Sequence, residues 1–194
     1  MEQAIKIKNS SKSSGITLIE ILVVIFIIVL FSSILVNDFP KIRRQFALTR
    51  VAYKMAQDLR RAQDMGLSGQ QLKDAGGNVI SIKSYGIYIN FSSLGNKKYI
   101  IYADIDNNQQ YASDTDSIIE TIDFSQTDPG IVIKTITNPE DVQQIDINFK
   151  PPNPTIKITN LSSGVRAQII FALESNLSTM KTTSVNTSGL IETK

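Results

Sequence analysis

Residues 15–36 read GITLIEILVVIFIIVLFSSILV. Within them, residues 16–36 form an apolar run broken only by small polar residues and one carboxylate, Glu20. As a helix this run would be about 32 Å long, enough to cross the hydrocarbon core of a bilayer. It is read as a membrane span. Ahead of it, Lys6, Lys8 and Lys12 outnumber Glu2, so the positive-inside bias keeps the first 15 residues in the cytoplasm and sends the rest across. The run is too long for a secretory signal, and no small-residue cleavage pattern follows it. The small residues Ser13, Ser14 and Gly15 come before it instead, where a cut would remove the polar leader and leave the apolar helix on the mature chain.

The carboxylate needs an explanation. An acidic group inside a helical span costs about 2.5–3.5 kcal/mol on insertion scales. A free α-amino group at Ile16, with a reference pKa of about 7.7–8.0, would be largely cationic at neutral pH. Pairing Glu20 with the Ile16 amine of a neighbouring subunit would offset the cost and set an axial register. Snorkelling of Glu20 to the nearby interface is the alternative from the residues alone.

The leader and span, KSSGITLIEILVVI, resemble the class III leader and N-terminal helix of type IV pilins and type II secretion pseudopilins, with Ile16 in place of the common Phe. The resemblance implies cleavage by a prepilin peptidase after Gly15, with N-methylation of Ile16 as the new first residue. It also implies a role for Glu20 in subunit docking. Implied partners are the prepilin peptidase/methyltransferase, other pilin or pseudopilin subunits, an inner-membrane assembly platform and membrane lipid. The implied location is the bacterial inner membrane, single-pass, with the head in the periplasm or outside the cell.

The chain has 194 residues, no cysteine and no histidine. An extracytoplasmic head therefore gains nothing from disulfides and depends on its own core. The absence of histidine removes the commonest general base and transition-metal ligand. No nucleophile and base pair stands out, so the chain is read as a non-enzyme.

Charge is uneven. Between residues 41 and 61, seven basic residues (Lys41, Arg43, Arg44, Arg50, Lys54, Arg60, Arg61) face Asp58 alone, whereas residues 70–194 hold ten basic and thirteen acidic residues. The basic segment suits lipid headgroups or acidic faces of adjacent subunits, and equally an ordinary solvated helix face. The acidic head argues against nucleic acid as its main ligand.

Past the span, Pro40 is expected to bend or break the helix. Ile42, Phe46, Thr49, Ala52, Met55, Ala56, Leu59 and Ala62 recur at three- and four-residue spacing, an amphipathic stripe expected to pack under the head. Gly66 and Gly69 end the pattern. The expected organisation is a leader over residues 1–15, a helix over 16–69 (transmembrane to 36, amphipathic from 37) and a head over 70–194. The fold class is α+β, a long N-terminal helix packed against a β-rich, pilin-like head. Alternating patterns place strands at residues 84–91, 97–104, 118–124, 131–136, 144–149, 155–159, 166–173 and 180–186.

The order of the parts also resembles H-type minor pseudopilins and fimbrial T-like minor pilins: DLRRAQDM, YGIYI, YADIDNN, FKPPNPT and a terminal TSVNTSGLI strand. The implied function is a structural minor pilin or pseudopilin of a type IV pilus or type II secretion filament. The alternative is a DNA-binding minor pilin of a competence filament. DNA-uptake members of that group carry a C-terminal G-R-x-R motif, where this chain has Gly189-Leu190-Ile191-Glu192, without arginine.

Asp104, Asp106 and Asn108 alternate as the first ligands of a calcium loop do, with Asp114 and Asp116 following. Gln109 stands where an EF-hand has glycine and Thr115 where it has glutamate. A looser calcium site is weighed against an Asx-rich turn, which is the larger expectation. The N-x-S patterns near Asn176 and Asn186 read as polar strand edges more than as glycan acceptors.

Overall fold

The computed structural model describes residues 15–73, 76–138, 140–151, 155–159 and 166–194. The leader, apart from Gly15, lies outside the described residues. Among the described residues one helix, α1 (Leu18–Ser68), is followed by twelve strands. The chain divides into two compact units, Met1–Ile42 and Arg43–Lys194.

From Leu18 to Val36 the helix is apolar on every side apart from Glu20, Ser32 and Ser33. Its large apolar side chains from Leu18 to Val36 stand 46–82% exposed. A helix without a polar face has no orientation that suits water, and this one is long and apolar enough to cross a membrane. Pro40 lies inside α1, which continues through it without a break. Thr17 caps the start, its Oγ1 accepting the Glu20 amide at 3.3 Å. This is one half of a capping box, T-x-x-E.

The second unit begins within α1. Leu48, Val51, Ala52, Met55, Ala56, Leu59, Ala62 and Met65 are buried on one face. The expected stripe holds from Ala52 to Ala62, but Ile42 and Phe46 are exposed and Thr49 is only half-buried. Apolar spacing alone continued the stripe past the point where the strands cover it. The helix ends in a Schellman motif: Gly69 has φ +59°, its amide bonds Gly66 O at 3.2 Å, and the Gln70 amide bonds Met65 O at 3.3 Å. Glycine takes this left-handed position without the penalty a Cβ brings.

A short hairpin, β1 (Leu72–Lys73) with β2 (Val79–Ile80), leads into two antiparallel five-stranded sheets. The first contains β3 (Ser84–Asn90), β4 (Lys98–Asp104), β5 (Ser117–Asp123), β8 (Gln144–Lys150) and β9 (Thr155–Ile158), in the order β5-β4-β3-β8-β9. The second contains β6 (Ile131–Asn138), β7 (Glu140–Val142), β10 (Arg166–Leu173), β11 (Asn176–Asn186) and β12 (Ile191–Thr193), in the order β12-β11-β10-β6-β7. Ile87 sits opposite both Ile101 and Ile147, so one face of the first sheet is aliphatic. That face, the helix stripe, and Ile133, Ile169, Phe171 and Val185 of the second sheet form one core. The chain is thus α+β, with a β-rich region sharing its core with the second half of α1.

Two strand readings change. β11 starts at Asn176 rather than 180, because the hairpin turn after Leu173 is short. The terminal segment is two strands, since Asn186 Oδ1 accepts the amides of Ser188 and Leu190 and folds the chain back into β12.

Candidate functional site

Glu20 is exposed on α1, in its first turn. Its amide is used by the Thr17 cap, while its carboxylate has no hydrogen bond or ion pair among the described residues. Gly15 and Ile16 precede the helix and are exposed, Ile16 by 74%. The structure therefore leaves the predicted processing and docking residues together on an open segment, surrounded by the exposed apolar side chains of the span.

The acidic loop lies on the other face of the first sheet. There Tyr88, Ile100 and Tyr102 make a small second cluster, with Leu94 and Tyr111 packed on it. Tyr111 holds the loop down, its ring 4.8 Å from that of Tyr88 and 5.4 Å from that of Tyr102. Beneath it Ser84, Asp104, Asp146 and Asn148 are buried. Burial pushes the Tyr102 hydroxyl well above its usual range, and the nearby carboxylates add to this.

Three carboxylates converge here, Asp104, Asp106 and Asp116, with oxygens within 4.8 Å of one another. Asp116 takes the place that spacing gave to Asn108. The Asn108 side chain instead donates to Asp106 at 2.8 Å and accepts the Gln110 amide at 2.7 Å. Every oxygen of the three carboxylates accepts a hydrogen bond. Asp104 takes the amides of Asn107 and Gln109 and the Ser84 hydroxyl. Asp106 takes the Asn108 amide and the Thr115 hydroxyl. Asp116 takes the amides of Ile105 and Ala112. Asn107 and Gln109 adopt positive φ, 69° and 62°, as Asx-rich turns require. Burial raises the Asp116 pKa, its two amide donors lower it, and the Asp104 and Asp106 charges raise it further. Burial likewise raises Asp146, which accepts the Tyr111 amide at 2.8 Å. The donor set would suit a hard cation such as calcium, but the hydrogen bonds account for the loop's shape without one.

No protein-family model, characterised protein or solved structure matches this chain.

The remaining sequence candidates are placed apart from these. Asn176 and Asn186 each accept the amide two residues on, in Asx turns at the two ends of β11. At the C-terminus, Glu192 faces Arg166 at 3.6 Å. Two features escaped the sequence reading and a third was only partly placed by it. The Thr17 cap could have been found from the T-x-x-E spacing. Asp116, noted only as following the loop, joins the acidic cluster in place of Asn108 through a loop closure that local spacing does not encode. The other missed feature is a groove of about 730 Å³ lined by Arg43, Arg44, Phe46 and Arg50 of α1 and by the turns at Asp128–Gly130 and Glu174–Ser175.

Proposed function

We propose that this protein is a pilin-like structural subunit, a minor pilin or pseudopilin. Prepilin peptidase cleaves it after Gly15, and its N-terminal helix packs it into a membrane-anchored filament. The observation that carries this reading is Glu20: a carboxylate without a partner among the described residues, four residues beyond Ile16, in an otherwise apolar stretch of helix. A span lying alone in lipid gains nothing from such a group, whereas a span packed against a copy with a free Ile16 amine gains a partner for it. The compact unit from Arg43 onward is the part that would face outside the membrane.

Co-expression with a prepilin peptidase, followed by intact-mass and N-terminal analysis of the membrane fraction, tests the reading. The expected product lacks residues 1–15 and begins with N-methylated Ile16. An uncut chain would overturn it. Deletion of the gene in its host, scored for secretion, surface filaments and DNA uptake, then assigns the machine. Direct DNA capture receives less support, because the C-terminal strand carries Glu192 where the DNA-uptake group has arginine. A gel shift at low salt with no retarded band is expected.

A further inference from the structure

We propose that the groove between Arg43, Arg44, Phe46 and Arg50 and the turns at Asp128–Gly130 and Glu174–Ser175 binds the phosphate headgroup of an anionic phospholipid. The site rests on the reading of residues 16–36 as a membrane span. It adds a specific lipid contact that anchoring alone does not require.

The charge balance of the groove comes first. Its two acidic side chains are already engaged: Asp128, buried, pairs with Arg50, and Glu174 pairs with Lys97 at 2.9 Å. Arg43 has no partner among the described residues, and Arg44 reaches only the Ser175 hydroxyl, at 3.4 Å. Two guanidinium groups are left without a counter-charge at one groove. Guanidinium is the side chain whose geometry matches a phosphate bidentately.

The shape of the groove agrees with a lipid. Arg43, Phe46 and Arg50 fall at i, i+3 and i+7, on one helix face. Phe46 stands 70% exposed beside the two cations. An aromatic ring next to unpaired arginines suits a ligand that is anionic at one end and apolar at the other. An acidic protein face would leave that ring without an apolar partner. Position in the sequence favours the same occupant: Arg43 follows the apolar run, which ends at Val36, by seven residues, and basic residues flanking a membrane span attract anionic lipid.

The test uses the purified full chain reconstituted into bilayers of phosphatidylcholine alone or mixed with phosphatidylglycerol. Insertion is read by co-flotation, and bound lipid by native mass spectrometry. The expected result is enrichment of phosphatidylglycerol on the protein over its bulk fraction. Arg43→Gln should reduce that enrichment by roughly fivefold, and Arg43→Gln with Arg44→Gln by about twentyfold. Lys83→Gln, elsewhere on the surface, should leave it unchanged. Enrichment that survives the double variant would overturn the site. So would displacement of the lipid by millimolar inorganic phosphate, which would make it a site for soluble anions. A double variant that keeps its lipid profile but loses cross-linking to a second copy of the chain would reassign the groove to protein. Insertion into both bilayers without lipid selectivity would remove the lipid site alone. Failure to insert into either would remove the membrane reading and the site with it.

Discussion

The carboxylate of Asp58, on the buried face of α1, accepts the Tyr99 hydroxyl of β4 at 2.6 Å on one oxygen and the Lys54 ammonium at 2.6 Å on the other. Asp58 is only 2% exposed. A buried charge is tolerated when its partners are in place and costly when one is removed. Burial first, and then the Asp58 charge, hold the Tyr99 hydroxyl well above its usual pKa, so it remains a donor throughout the neutral range. This pair, with Arg61–Glu120 and the Thr183 hydroxyl on Ala52 O at 2.9 Å, ties the helix to both sheets.

Tyr99→Phe should therefore destabilise the unit from Arg43 onward by about 1.5–3 kcal/mol, the range for a hydrogen bond to a charged group. Chemical denaturation of that unit, whose core residues all follow Arg43, is the measurement. A change below about 0.5 kcal/mol would mean that water replaces the hydroxyl and that the pair contributes little.

Gly66 lies where the helix comes close to the backbone of β8. A Cβ built there would lie 2.6 Å from the backbone oxygen of Phe149 and 3.2 Å from its Cβ. Backbone cannot rotate away as a side chain can. Gly66→Ala should cost roughly 1–3 kcal/mol by overpacking, although alanine is the better helix former. A stabilised variant in the same denaturation assay would show that the helix end is free to shift.

The pH profile of this unit should be asymmetric. Asp116 and Asp146 have pKa values raised by burial, so the folded state binds more protons than the unfolded one. Their contribution is present below the ordinary carboxylate range and is lost as pH rises through the raised values. Asp123 acts in the opposite sense. Hydrogen bonds from Ser125, then Lys98, hold it at about 2, so its contribution is lost as pH falls from 3.8 toward that value. Together these groups make stability rise as pH climbs to the ordinary carboxylate range and fall again as pH climbs beyond it. Thermal melting across pH checks it, and Asp116→Asn should flatten the decline toward neutral pH.

The same loop makes a statement about calcium. All six oxygens of Asp104, Asp106 and Asp116 accept hydrogen bonds from the chain. The expected outcome is an unchanged melting temperature in millimolar calcium or in chelator. A rise of more than about 3 °C with calcium would show that an ion binds the folded form.

How far the sequence speaks depends on how local the controlling physics is. The long apolar helix, the Gly69 stop and most of the strands follow from apolar periodicity and turn residues within a few positions, and they were legible. The fate of Ile42 and Phe46 depends on where the strands stop covering the helix. Asp116 meets Asp104 across a loop that Tyr111 closes by packing on Tyr88 and Tyr102. The Arg43 groove needs turns more than eighty residues away in sequence. Those contacts are set by tertiary packing and have no short-range signature.

Thr17 and Glu20 allow the capping of the first helical turn to be separated from the docking role proposed for its carboxylate. Thr17 caps the helix through its hydroxyl, so Thr17→Ala should cost about 1 kcal/mol of local helix stability and leave the carboxylate available. Glu20→Gln keeps the same amide on the cap and removes only the charge. If Glu20 pairs with the amine of a neighbouring Ile16, Glu20→Gln should abolish complementation of a gene deletion while the protein accumulates normally in the membrane. Thr17→Ala should complement nearly as well as wild type. The reverse pattern, with Thr17→Ala inactive and Glu20→Gln active, would mean that the turn needs its cap and that the carboxylate has no assembly role. Salt dependence does not separate the two, because a pair shielded by lipid is screened little. Charge removal at constant shape does, since the cap depends on backbone geometry and the docking contact on the carboxylate's charge.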